Sequence, residues 1–130
     1  MTKALKVIMI VYAAVGILFG LAMIFIPDRM ADWFNGPAPT DYEKYLTASL
    51  GAANIAAAVF IIMAARDPVR NTSWVWFAII WAVIWVAAIV YALGRGYVDF
   101  DQQGIALIIH IVFGTLLLVF YPWKAGRGTA

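Results

Sequence analysis

Residues 7–27, VIMIVYAAVGILFGLAMIFIP, contain no Asp, Glu, Lys or Arg. Three more runs without these residues follow at 45–65, 71–94 and 102–123. As an α-helix, each run is long enough to cross a bilayer core of ~30 Å at ~1.5 Å per residue. We therefore predict an all-α chain that forms one domain over residues 1–130, an antiparallel bundle of four transmembrane helices. The predicted spans are about 5–26, 45–65, 74–94 and 104–121.

The overall composition points to the same class of protein. Hydrophobic residues make up 65% of the chain and charged residues 12%, against about 45–50% and about 25% in soluble domains. The basic residues are scattered singly near predicted helix ends, which disfavours a nucleic-acid partner. The chain has no cysteine, which excludes disulfides and thiolate metal sites. We expect an integral membrane protein whose surroundings are lipid.

The basic residues are unequally divided between the two predicted sides of the membrane. One side carries six of the 9 Lys and Arg residues, and the segments 28–44 and 95–101 on the other side carry most of the acidic ones. Basic loops stay preferentially in the cytoplasm. We therefore predict a multi-pass protein of the cell inner (plasma) membrane with both termini cytoplasmic. The six residues are Lys3, Lys6, Arg66, Arg70, Lys124 and Arg127.

The first outer segment carries its own structural pattern. Within residues 28–35, Met30, Trp33 and Phe34 share one helical face. One or two amphipathic turns are predicted here, in the outer headgroup region. They would serve either as a surface anchor or as a lid over a cavity between the helices.

Small residues suggest where helices approach closely. Gly16 and Gly20 belong to a small-xxx-small row on the first helix, and Ala53 lies in a similar row on the second. Membrane helices associate through close packing of this kind. We predict that these rows pack the first two helices together, although they could equally support a dimer.

The few polar residues inside the spans define a candidate site. Counting about 1.5 Å per residue from the outer helix ends places Asn54, Trp85 and His110 in one layer, roughly 10–13 Å deep. Trp81 belongs to the same tryptophan stripe as Trp85. Three hypotheses follow for this layer: a hydrogen-bonded clasp that fixes helix register, a binding site for a flat apolar ligand, and a metal or haem site.

Other chemistry finds little support in the sequence. Asp99 and Asp101 could form an acidic mouth that binds a cation, but capping of the fourth helix is the simpler role. The sequence contains no Ser-His-acid set at a common depth, HExxH motif or Gly-rich phosphate loop. We therefore predict no catalytic residues and no metal ligands, and an enzyme is disfavoured.

The string LGAANIAAAVFIIMAARDPVR at residues 50–70 resembles the second helix and following loop of DoxX-like proteins. These are small bacterial membrane proteins with four helices. The resemblance implies the same compact layout and, through a few members, a link to quinone-connected oxidoreductase complexes. It implies no catalytic residue.

The leading functional hypothesis is a non-catalytic membrane protein. It would be an accessory subunit of a partner membrane protein, or a binder of a hydrophobic ligand such as quinone or lipid. The alternative is a small transporter or channel that works as a homo-oligomer, which the absence of buried carboxylates disfavours. The third hypothesis is a membrane enzyme that uses His110 as its acid or base.

Overall fold

The computed structural model describes residues 2–123, so Lys124 and Arg127 of the topology prediction lie outside the described residues. By length and composition, four of its helices can cross a membrane. They alternate in direction along the chain, which confirms the predicted all-α antiparallel bundle. The helices are α1 (Thr2–Phe25), α2 (Pro27–Trp33), α3 (Asp41–Ala65), α4 (Thr72–Gly94) and α5 (Phe100–Val119).

Local sequence explains where the long helices begin and end. Thr40 caps α3, because its N–H donates to Glu43 Oε2 at 2.7 Å and its Oγ1 accepts from the Glu43 N–H at 3.3 Å. The same helix ends at Ala65, shortly before Pro68. Gly96 follows α4 with a φ of 68°, a left-handed conformation that glycine adopts without strain.

The short helix α2 confirms the predicted turns between the first two spans. Pro27 begins it, where a missing N–H costs nothing. Gly36 N–H donates to Ala31 O at 2.8 Å just after the helix ends. An ion pair of 2.8 Å between Lys44 Nζ and Asp28 Oδ1 connects the start of α2 to the first turns of α3.

The bundle consists of two helix pairs, because α1 packs chiefly on α3 and α4 on α5. A Cβ atom on Gly20 would lie only 2.7 Å from Gly51 O, and one on Gly16 would lie 3.5 Å from Ala58 Cβ. Gly16 and Gly20 thus lie where α1 meets α3. The prediction that Ala53 packs against the first helix is wrong, because Ala53 is exposed. Two residues after Gly51, it points about 200° away around the helix.

The two ends of the bundle differ in how the space between the pairs is filled. We call the end with α2 the α2 end, and the opposite end the Pro68 end. Toward the Pro68 end, apolar side chains fill the space between the pairs. Large apolar side chains on the outside, such as Leu18, Phe25 and Ile84, are more than half exposed and suit contact with lipid. The filled end is built around Leu5, Met9, Ala64, Val75, Ile79 and Leu117.

Candidate ligand-binding cavity

A cavity of about 120 Å³ lies between the two helix pairs, toward the α2 end. All four candidate ligand-binding residues line it: Asn54, Trp81, Trp85 and His110. They come from three different helices, and the count of depth had predicted one layer for three of them, Asn54, Trp85 and His110. The structure thus brings the predicted layer together around one space.

Each long helix turns one stripe of residues toward the cavity. On α1 the stripe is spaced four, three and four residues apart, and on α3 and α5 similar helical spacings occur. Such spacing is what one face of an α-helix requires. The cavity wall therefore follows from regular helix geometry. The α1 residues of this stripe are Tyr12, Gly16, Phe19 and Met23.

His110 is held in place by an aromatic neighbour and by its own helix. Its ring stacks on Trp85, with centroids 5.2 Å apart and planes at 21°. Its Nδ1 lies 2.7 Å from Ala106 O. Because a carbonyl oxygen only accepts, Nδ1 donates this hydrogen bond and the neutral ring keeps Nε2 as an acceptor. The imidazole is half-buried, with one contact on its face and one hydrogen bond at Nδ1.

Tyr12 is a cavity residue that the sequence did not single out as part of the site. It is only 5% exposed, and its hydroxyl has no hydrogen-bond partner within residues 2–123. Its ring stacks on Phe113 at 5.0 Å and meets the His110 ring edge to face at 6.0 Å. Its position four residues before Gly16 was the available signal, because residues four apart share a helix face.

Asn54 contacts α1 rather than the other polar residues of the layer. Its Nδ2 donates to Met23 Sδ at 3.6 Å, and a thioether is a weak acceptor. Asn54 thus donates to Met23, and His110 donates to Ala106 O. The hypothesis of a hydrogen-bonded clasp between Asn54, Trp85 and His110 is therefore wrong in that form, since the contact between Trp85 and His110 is ring stacking.

The α2 segment borders the cavity. Met30 and Phe34 line it, and the Phe34 ring stacks on Phe19 at 6.2 Å. Gln102 Nε2 donates to Asn35 O at 3.3 Å and so joins the end of α2 to α5. Trp33, in contrast, is 62% exposed. The segment thus combines a face against the cavity with a bulky aromatic ring on its outside.

Asp99 and Asp101 are exposed and line neither this cavity nor the neighbouring groove described below. Asp99 is the N-cap residue of α5, and its backbone N–H donates to Gln102 Oε1 at 3.0 Å. No group of three or more His, Asp or Glu side chains suited to a metal ion occurs between residues 2 and 123. The geometry supports the capping role rather than a cation-binding mouth.

A second hollow, of about 230 Å³, forms a groove between α4 and α5. Its wall is almost entirely apolar and includes Val83, Val86 and Ile111. His110 lines both this groove and the cavity. The imidazole therefore lies at the boundary between a partly polar cavity and an apolar groove.

Comparisons of the chain with protein-family models, with curated proteins and with solved structures gave no match. The resemblance to DoxX-like proteins is therefore still a prediction.

Proposed function

We propose that this chain is an integral membrane protein that binds a hydrophobic ligand, a quinone or a lipid, in the cavity between its helix pairs. The observation that carries the proposal is the composition of the cavity wall. Aromatic rings and small apolar residues surround a few polar groups, among them Tyr12, Asn54 and His110. Ligand sites in proteins combine an apolar lining with a few convergent polar groups in this way.

The size of the cavity limits which part of a ligand enters it. A dry cavity of about 150 Å³ accepts a molecule as large as benzene, so a cavity of about 120 Å³ suits a ring-sized head group. A whole quinone or lipid is much larger, and its remainder has to lie outside. The apolar groove between α4 and α5 is the adjoining surface that shares His110 with the cavity. We assign it to the ligand's tail.

Native mass spectrometry of gently extracted protein tests ligand binding. Ala106 lines the cavity, so Ala106→Leu should fill part of the space and reduce the fraction of protein that carries a hydrophobic molecule. Ala88 is exposed on α4, and Ala88→Leu is the matched control. Equal retention of the molecule by both variants would contradict the proposal, as would wild-type protein that carries no such molecule and takes up no added quinone or lipid.

We also propose that the α2 end faces away from the cytoplasm of a bacterial inner membrane. The division of basic residues supports this orientation. Because the chain has no cysteine, single cysteines can be labelled without background. In intact cells, a membrane-impermeant maleimide should label Tyr97→Cys and not Val69→Cys, both at exposed positions. The reverse pattern would contradict the orientation.

A further inference from the structure

The polar groups of the cavity differ in what they offer to a ligand. His110 donates through Nδ1 to Ala106 O, and this leaves Nε2 as an acceptor. The Tyr12 hydroxyl is enclosed by protein atoms and has no partner within the described residues, so its O–H can donate to a ligand that displaces the neighbouring side chains. The two rings meet edge to face at 6.0 Å on the same wall. Tyr12 and His110 therefore offer one donor beside one acceptor on this wall, in addition to the amide groups of Asn54, Gln102 and Gln103 elsewhere in the lining.

The described residues that line the cavity have no charged side chains. None of the side chains around the cavity is Lys, Arg, Asp or Glu. A phosphate or carboxylate head group would have to leave water without a compensating charge, which is costly. The chemistry of the wall thus favours a neutral head group.

On the basis of the proposed function, we infer that the head group bound in the cavity is a neutral hydroxyl on an apolar body. A hydroxyl oxygen accepts from the Tyr12 hydroxyl while its O–H donates to His110 Nε2. Quinone, ester and ether oxygens only accept, and would leave Nε2 without a partner. The inferred class comprises aromatic alcohols such as quinols and aliphatic lipid alcohols.

Three small molecules distinguish an aromatic alcohol, an aliphatic alcohol and an oxygen that only accepts. They are para-propylphenol, para-propylcyclohexanol and the methyl ether para-propylanisole. Their affinities for the detergent-purified full chain can be measured by calorimetry after bound lipid has been washed away. We expect at least one of the two alcohols to bind about tenfold more tightly than the ether, because the ether cannot donate to Nε2. A preference for the phenol assigns the site to quinol-like rings that stack against Trp85, and a preference for the cyclohexanol assigns it to aliphatic alcohols.

Each other outcome has a separate meaning. Equal affinities of ether and alcohols would overturn the hydroxyl inference and leave the proposed cavity site in place. Absence of binding by all three probes, together with absence of binding by added quinone and lipid, would overturn the proposed function itself.

Two substitutions test the assigned atoms. Tyr12→Phe and His110→Phe keep an aromatic ring but remove the donor and the acceptor respectively. Each should reduce the preference for the alcohol over the ether to about threefold or less, with little change in the affinity for the ether. Tyr91→Phe changes an exposed tyrosine of α4 in the same way and should keep the full preference. An unchanged preference in both Tyr12→Phe and His110→Phe would overturn the inference.

Discussion

The two ends of the bundle use the space between the helix pairs differently. At the Pro68 end, side chains such as Met9, Val75 and Leu117 are fully buried and fill the space. At the α2 end, the space is a cavity whose wall includes Tyr12 with an unsatisfied hydroxyl. A buried polar group without a partner destabilises a protein. The Pro68 end is thus packed with apolar side chains, whereas the α2 end keeps a space and a polar group, which our proposal assigns to ligand binding.

The largest effect is expected where α1 crosses α3. Gly20→Leu should prevent folding or leave only aggregated protein, because even a Cβ atom there would lie 2.7 Å from the backbone oxygen of Gly51. Ala53→Leu places the same side chain on the exposed face of α3 and should be tolerated. Size-exclusion chromatography in detergent distinguishes the outcomes. A folded, monodisperse Gly20→Leu variant would show that the two helices can separate at low cost.

The next effect concerns the filled end. Leu117 is fully buried and its neighbour Leu118 is 42% exposed. Leu117→Ala should lower the free energy of unfolding by about 2–5 kcal/mol, because it removes buried contacts and leaves a cavity. Leu118→Ala is the control and should cost much less. Reversible unfolding in one detergent measures both. Similar losses for the two variants would mean that the Pro68 end is not more tightly packed than the lipid-facing surface.

The fold and the residues of the polar layer could be predicted from the sequence. Runs without charge identify the four spans, although α3 and α5 begin four residues earlier than predicted. A constant rise per residue gives depth along each helix, so Asn54, Trp85 and His110 could be placed in one layer. Hydrogen-bond partners could not be predicted in the same way. His110 bonds to its own helix at Ala106, a choice that depends on side-chain rotation rather than on depth.

Which face of a helix is buried was also hard to predict. Small residues occur on every side of α3, so composition could not separate the row of Gly51 and Ala58 from that of Ala53. The structure separates them, because Gly51 and Ala58 meet α1 whereas Ala53 is exposed. Tyr12 was not assigned to the site because its helical spacing from Gly16 shows a shared face, but not that this face borders a cavity.

The smallest expected effect is a gain in stability rather than a loss. In protein washed free of ligand, Tyr12→Phe should raise the free energy of unfolding by about 1 kcal/mol, because it removes a buried hydroxyl that has no partner and keeps the ring. The stacking on Phe113, with centroids 5.0 Å apart, can be retained. The same unfolding measurement applies, and Tyr91→Phe, at an exposed position, should change little.

A loss of stability in Tyr12→Phe would mean that the hydroxyl has a partner in the ligand-free protein, such as a water molecule in the cavity. The α2 end would then be a satisfied polar core rather than a site that a ligand completes. A gain would show the reverse: the native chain keeps the Tyr12 hydroxyl although it lowers stability. Selection for stability alone does not account for such a group, whereas a ligand that accepts its hydrogen bond does.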